Sequence, residues 1–294
     1  FLNAVHRLYR RPPPAPSWKT VFTGMKNFLQ RIIPYRVILN GKGRPQKESG
    51  ENIAAHLKAR LGRLQGAYFD VEESRVDYRA MKGSEEFRDY RKLTLRLNSF
   101  SFSNLENDDQ KKAFWINIYN ILIIHGVIHF GLERSVRQVP RFFRRIGYRI
   151  GGDFFSPDDI EHGILRRNRP HPFTGRKLFS SSDSRDRLAL SQLDYRIHFA
   201  LVCASSSCPP IEFYDTARIN DQLDLAASSF LRRRGLLLDR DKKIVHLSPI
   251  FKWYRTDFID EGGDILAPLL PYLKEDERAF IGKNRRDIEI NYLP

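Results

Sequence analysis

The strongest hydrophobic pattern in the chain extends from Lys111 to about Phe130 and is apolar on nearly every face. A helix with this pattern is buried in a protein core or spans a membrane. A membrane span needs about 20 consecutive apolar residues, and here Asn117, Asn120 and His125 interrupt the run. The pattern therefore predicts a buried central helix rather than a transmembrane one.

The rest of the chain combines shorter helical patterns with a few strand patterns. In the helical segments apolar residues recur every three or four positions, and Ser156-Pro157 followed by two acids is typical of a helix N-terminus. Because the strands are few and short, the sequence predicts an α+β fold, a helix-rich single domain with a small, mostly antiparallel sheet around the central helix. The helical segments are 52–66, 84–97, 157–167, 218–234, 249–259 and 264–283, and the strand segments are 148–155, 195–204 and 244–247.

The distribution of charge separates the N-terminus from the rest. The 294 residues carry a formal charge of +15, and residues 1–50 hold +9 of it because they contain ten Lys and Arg residues and one acid, Glu48. Pro12-Pro13-Pro14 excludes a helix at that point, whereas residues 18–32 have the spacing of a basic amphipathic helix. We therefore predict a basic, proline-containing tail or linker at 1–50 and a domain at 51–294.

Two interpretations of the tail are open. It attaches the protein to an anionic membrane surface, or it links the domain to an upstream one and docks a helix on the body. No zinc finger or basic–aromatic repeat accompanies the charge, so nucleic acid is not an expected partner. We expect no signal peptide in the given chain, because no apolar run precedes an Ala-x-Ala site. The compartment and the oligomeric state stay open.

Three segments carry polar residues that are suited to chemistry. Together they supply a thiol, an imidazole, an acid and an amide, which are the components of a cysteine-dependent hydrolase or of an acyl or peptidyl transferase. The substrate class predicted by such a site is a small molecule or a peptide. The residues are Asn117 and Asn120 in the first segment, Asp158, Glu161, His162 and Arg166 in the second, and His198, Cys203 and Cys208 in the third.

The proposed nucleophile is Cys203, with Cys208 in the following loop as its substitute. Side chains alternate along a regular strand, so the predicted strand at 195–204 would point His198 and Cys203 to opposite faces. This leaves His162 as the preferred base. In this scheme His198 is a binding residue.

The remaining residues of the predicted site support the base, the oxyanion or the substrate. Asp158 stands four positions before His162 on a helix and can contact it, so Asp158, or Glu161, would orient the imidazole. Asn117 would donate to the oxyanion. Asn120 and Arg166 complete the predicted binding residues.

A structural interpretation competes with this catalytic one. Cysteine is among the most buried residue types and is often inert, and the asparagines could satisfy buried backbone groups. The domain would then be a non-catalytic interaction or membrane-associated accessory module. His125 and His129 have the spacing of two zinc ligands but no evident third ligand, and no Gly-rich phosphate loop is present. We therefore expect no metal and no cofactor.

Several blocks of the sequence resemble the family catalogued as domain of unknown function 547. The resemblance extends from about residue 52 to the end and leaves residues 1–50 outside. The family's name implies no activity, but the resemblance places Asn117, Glu161, His162, His198, Cys203 and Cys208 at its motif positions. The blocks are KAFWINIYN (112–120), SPDDIEHGILR (156–166), RIHFALVCASSSCPP (196–210), FKWYRTDF (251–258) and INYLP (290–294).

Overall fold

The computed structural model describes most of the domain and little of the tail. Cys203, Cys208 and the predicted amphipathic helix at 18–32 lie outside the described residues, so the predictions about them stay predictions. The described residues are 36–41, 52–70, 75–132, 135–202, 212–259 and 263–293.

The helix Asp108–Phe130 forms the centre of the fold, and residues 112–128 are buried throughout. It begins with a reciprocal capping box, in which the Asn107 side chain accepts the N–H of Gln110 and the Gln110 side chain accepts the N–H of Asn107. It ends at Gly131, whose φ of 63° is the left-handed conformation common after helices. The predicted central helix is confirmed.

Length and composition alone would allow this helix to cross a membrane. In the structure 89% of its most hydrophobic stretch is buried inside the protein. A core helix of a soluble protein satisfies the same criteria of length and hydropathy, and the surrounding helices account for the apolar surface.

The other helices pack around this centre. Ile53–Ala67 packs on the central helix and on Glu85–Thr94, and its residues Ile53, Leu57, Leu61 and Leu64 are buried as their spacing predicts. The remaining helices are Tyr78–Gly83, Glu85–Thr94, Phe142–Arg145, Ile197–Ala200, Ile219–Phe230, Ile250–Trp253, Arg255–Phe258 and Glu275–Lys283, with π-helices at Asp159–Leu165 and Leu231–Gly235 and 3₁₀-helices at Leu95–Ser99, Phe102–Asn104, Val136–Gln138, Ser184–Leu188, Thr216–Arg218 and Ala267–Tyr272.

Two small three-stranded sheets and one hairpin complete the α+β fold, which confirms the predicted class. Each three-stranded sheet is mixed, with one parallel and one antiparallel pair, rather than mostly antiparallel. The first sheet has the order β1 (Val37–Ile38), β4 (Ile146–Ile150), β5 (Asp153–Phe155); the second has the order β6 (Leu236–Asp239), β7 (Ile244–Leu247), β8 (Glu289–Tyr292); and β2 (Phe69–Asp70) pairs with β3 (Arg75–Val76).

Part of the predicted tail belongs to the folded body. Strand β1 pairs in parallel with β4, and the Asn40 side chain donates to the carbonyls of Thr94 and Arg149 and accepts the N–H of Arg149. A two-residue strand has no periodicity of its own and is defined by its partner. Residues 37–40 thus contact the described domain, and the boundary at residue 50 stays a prediction.

The predicted strand at 195–204 is wrong. Ile197–Ala200 form one helical turn, and the chain leaves it in an extended conformation at Leu201. Short apolar runs fit a buried strand and a buried helix equally well. The alternation that separated His198 from Cys203 therefore has no structural basis.

Candidate functional site

The π-helix Asp159–Leu165 carries two of the predicted site residues, Glu161 and His162, and is flanked by two more, Asp158 and Arg166. Ser156 and Asp159 cap its start reciprocally: Asp159 Oδ2 accepts from the N–H and the hydroxyl of Ser156, and Ser156 Oγ accepts the N–H of Asp159. The predicted start at Ser156 is thus confirmed. At its end Arg166 donates its N–H to the carbonyl of Glu161, a five-residue spacing. His162 and Arg166 are 3% and 1% exposed, so this segment carries polar groups into the core.

Arg166 forms a buried ion pair with Asp257. Its Nε donates to Oδ2 at 2.5 Å and its Nη2 donates to Oδ1 at 3.0 Å, the bidentate geometry of a guanidinium on a carboxylate. Burial by itself raises the pKa of Asp257, but hydrogen bonds from His198 and Arg166 outweigh it and lower the pKa to about 2. Asp257 is therefore ionised in the core.

His198 has a carboxylate partner, Asp257. Because Asp257 is ionised, His198 Nε2 donates to Asp257 Oδ2, at 2.9 Å. The His198 ring packs against Tyr254, with ring centroids 4.1 Å apart, and against Phe258. A neutral imidazole that donates through Nε2 keeps its lone pair on Nδ1.

His162, the predicted base, is oriented by a cation. Its Nδ1 lies 3.0 Å from Arg166 Nη1, and a guanidinium can only donate, so the lone pair of His162 is already used. Burial, together with the charge of Arg166, lowers the pKa of His162 far below its usual range. These two facts make His162 a poor proton acceptor.

Asp158 does not orient His162, although the two lie four positions apart. Its carboxylate accepts from Arg144 Nε at 2.8 Å. Burial raises the pKa of Asp158 to about 7, and Arg144 offsets only part of this effect. Asp158 is therefore a buried acid whose partner is on the neighbouring helix Phe142–Arg145.

Glu161 hydrogen-bonds two tyrosines, whereas its Oε1 lies 3.9 Å from His162 Nδ1, beyond hydrogen-bond distance. Tyr254 donates to Glu161 Oε1 at 2.7 Å and Tyr119 donates to Oε2 at 3.2 Å. The ring of Tyr254 also lies under the guanidinium of Arg166, 4.9 Å from its centroid. Glu161 thus fixes the aromatic wall against which His198 packs.

Asn117 and Asn120 bind the two ends of the segment that carries both cysteines. Asn120 Oδ1 accepts the N–H of Val202 at 2.9 Å, and its Nδ2 donates to the carbonyl of Ala200. Asn117 Oδ1 accepts the N–H of Tyr214 at 3.0 Å, and its Nδ2 donates to the carbonyl of the same residue. Val202 directly precedes Cys203 and Tyr214 follows the cysteine segment, so two adjacent turns of the central helix hold the described residues on either side of it.

Asp158, His162 and His171 are close enough to suggest a metal site, since their ligand atoms lie within 4.8 Å of one another and all three are buried. The hydrogen bonds do not fit a metal. His162 Nδ1 accepts from Arg166, and His171 Nδ1 accepts the N–H of Phe173, so both neutral rings carry their proton on Nε2. Metal-binding histidines have the opposite arrangement, in which the other ring nitrogen donates.

Sequence reasoning missed several members of this network. Asp257 and Tyr254 lie in the block 251–258 that carried the family resemblance, so a signal for them existed. Arg144 and His171 had no such signal. Arg144 lies in a stretch rich in arginine, and His171 lies between two prolines in a predicted loop. Their contacts depend on tertiary packing.

Comparison with known proteins gives a family for the middle of the chain. Residues 102–231 match the model of a family described as "Protein of unknown function, DUF547". This match confirms the resemblance. The DUF547 segment (residues 102–231) contains the central helix, the π-helix, His198 and both cysteines, whereas Asp257 lies outside it. The match is shorter than the resemblance, which began at residue 52. No curated protein and no solved structure matches the chain.

Proposed function

We propose that this protein is a thiol-dependent hydrolase or acyl or peptidyl transferase, with Cys203 as the nucleophile and His198 and Asp257 as the base and its acid. The observation that supports this proposal most is the attachment of Val202 to Asn120, directly before Cys203. It ties the cysteine segment to the core only a few residues after a buried His–Asp pair. A histidine oriented by a carboxylate near a thiol is the arrangement of cysteine nucleophile sites.

In the proposed reaction the thiol proton moves to His198 Nδ1, the ring nitrogen that Asp257 leaves available. The sulfur attacks a carbonyl carbon, the acyl group becomes a thioester, and His198 returns the proton to the leaving group. Water or an acceptor amine then releases the acyl group. Asp257 stabilises the imidazolium that forms in between.

The other predicted residues have positioning roles in this proposal. Arg166 holds Asp257, His162 holds Arg166, and Glu161 holds Tyr254 against His198. Asn117 and Asn120 place the cysteine segment, so they act through it. Cys208 remains the substitute nucleophile at the far side of that segment.

A second candidate is the non-catalytic accessory module. The observation that favours it is the burial and mutual pairing of Arg166 and Asp257, which satisfy each other in the core. Buried ion pairs can specify a fold without any chemistry. In that case the cysteines are ordinary thiols.

Alkylation of the intact chain by iodoacetamide, from about pH 5 to about pH 9, separates the two candidates because only the thiolate reacts. The proposed site gives one cysteine whose reactivity persists well below the usual thiol pKa of about 8.5. We expect this fast phase to disappear in Cys203→Ser and to persist in Cys208→Ser. His198→Gln should slow it, whereas His246→Gln, on β7 of the second sheet, serves as the matched control and should not.

The proposal fails if both cysteines react with the pH dependence of free thiols in the wild-type protein. Thermal unfolding of each variant shows whether slower labelling reflects lost chemistry or lost structure. Asn120→Ala provides an independent check, because releasing Val202 should slow the fast phase while the His198–Asp257 pair stays in place.

A further inference from the structure

The outer face of the first sheet carries two arginines. On β4 the side chains of Tyr148 and Ile150 are buried, whereas Arg149 between them is exposed, because side chains alternate along a strand. The residue opposite Arg149 on β5 is Phe154, and directly opposite residues share a face of the sheet. The guanidinium of Arg36, just before β1, lies over the Phe154 ring, 4.7 Å from its centroid. Arg36 and Arg149 are therefore on the same outer face.

The helix Glu85–Thr94 brings three more cations beside this face. The Asn40 side chain connects the two elements, since it donates to the carbonyl of Thr94, at the end of the helix, and to the carbonyl of Arg149 on β4. A groove of about 170 Å³ at this junction is lined by Leu39, Asn40, Arg88, Arg91, Lys92 and Leu95. Together the cations form the basic face, which consists of Arg36, Arg88, Arg91, Lys92 and Arg149.

Most of the charge of the basic face is available to a partner. Asp89 pairs with Lys92 at 2.9 Å, whereas Arg88 donates to the carbonyl of Gly83, a neutral acceptor. The cations outnumber this acid, so the basic face attracts anions. The groove is smaller than the volume of about 300 to 1,000 Å³ that is usual for small-molecule sites. The basic face therefore suits an extended anionic surface better than an enclosed ligand.

The predicted basic tail enters the folded body at this face. Residues 1–35 contain six Lys and Arg residues and no acid, and Arg36 is the first residue that the structure describes. Apolar and basic residues at 18–32 have the spacing of an amphipathic helix, the pattern of segments that lie in the interface of an anionic bilayer. Apolar positions among the cations favour a bilayer over a nucleic acid, which needs only the charge.

We propose that the basic face docks on a bilayer that contains anionic phospholipid, on the same side of the domain as the tail. Headgroup phosphates pair with the arginines, as guanidinium groups suit phosphate oxygens. The tail by itself would leave the domain free to rotate, whereas the basic face fixes its orientation. The proposal holds whether or not the thiol site is active, because it uses none of the residues of that site.

Sedimentation of the intact chain with vesicles tests this proposal. One set of vesicles contains only phosphatidylcholine, and the other contains phosphatidylcholine and phosphatidylglycerol in equal parts. We expect binding to the anionic set, weakening as the ionic strength rises from about 0.1 M to about 1 M, because salt shortens the range of the attraction. No binding to the anionic vesicles, or equal binding to both sets, would overturn the proposal.

Two double variants with the same loss of charge separate the basic face from the net charge, and both keep the tail. Each arginine near an anionic surface contributes about fivefold to binding, so Arg91→Gln/Arg149→Gln should weaken it about 25-fold. Arg232→Gln/Arg233→Gln, on the exposed arginines of the π-helix Leu231–Gly235, is the matched control. It should change the affinity less than about twofold, because charges more than a Debye length from the bilayer are screened.

The outcomes of this comparison are distinct. All four side chains are exposed, so thermal unfolding should show unchanged stability in both variants. Equal weakening by the two variants would show that net charge alone drives binding, and the proposed face would be wrong. Duplex DNA that displaces the wild type from the anionic vesicles at equal phosphate concentration would also overturn the proposal, because the face would then favour a nucleic acid.

Discussion

Arg166 and Asp257 are 91 residues apart in the sequence and are joined in the interior by two parallel hydrogen bonds. Arg166 follows the π-helix in the DUF547 segment, and Asp257 belongs to the short helix Arg255–Phe258 beyond it. The pair therefore attaches the C-terminal part of the chain to the segment that contains His198. This attachment makes Asp257 as much a part of the candidate site as any residue within the matched range.

Asp257→Asn should destabilise the protein strongly. It leaves the guanidinium of Arg166 buried without a counter-charge, and breaking a buried pair in this way costs about 3 to 5 kcal/mol. Asp276→Asn is the matched control, because it breaks the exposed pair between Arg240 and Asp276, where a loss of about 0 to 1 kcal/mol is expected. Urea unfolding followed by circular dichroism measures both. Equal stabilities of the two variants would contradict this assignment.

The folded protein should lose stability as the pH falls below about 6.5. Burial lowers the pKa of His125, His162 and His171, the last to about 4, whereas in the unfolded chain these groups take up protons near pH 6.5. The unfolded state thus binds three more protons in this range. Asp158 acts oppositely, since its folded pKa of about 7 lets the folded state hold one proton that the unfolded state has released.

The net difference of two protons sets the expected slope. Between about pH 5 and pH 6.5, above the range in which unfolded aspartates take up protons, the free energy of unfolding should rise with pH by up to about 2.7 kcal/mol per unit. His171→Gln removes one of the three imidazoles and should reduce the slope by about 1.4 kcal/mol per unit. Urea unfolding over a series of buffers measures it. A profile that is flat over this range would show that the imidazoles are not held neutral.

Gly62→Ala and Gly126→Ala should have opposite effects on stability. A Cβ at Gly62 would meet nothing within 4 Å, so alanine should stabilise its helix by about 0.5 to 1 kcal/mol. A Cβ at Gly126 would lie 2.5 Å from Ile146 Cδ1 and 2.8 Å from Phe142 Cζ. Overpacking of this kind costs about 1 to 3 kcal/mol. Thermal unfolding should show a higher melting temperature for Gly62→Ala and a lower one for Gly126→Ala. Shifts of the melting temperature in the same direction would mean that the central helix adjusts to the methyl group at position 126.

Sequence patterns correctly predicted the helices whose starts and ends are determined by neighbouring residues. The central helix follows from a long apolar run that begins after acids and ends at Gly131, and the start at Ser156 follows from a cap and a proline. Residues 195–204 failed because a ten-residue apolar run does not distinguish a strand from a helical turn. The His198 side chain of that segment pairs with Asp257, 59 residues away, a contact that no local pattern shows.

The sequence by itself determined the α+β class, the buried central helix and the family resemblance. Periodicity, capping and motif order depend on residues that are close together in the sequence. It also located the polar segments that meet in the core. Only the tertiary structure decided their partners: Arg166 rather than Asp158 for His162, Asp257 for His198, and the residues that flank the cysteine segment for Asn117 and Asn120. Hydrogen-bond partners depend on distances between residues far apart in the chain, and these distances arise only when the helices pack.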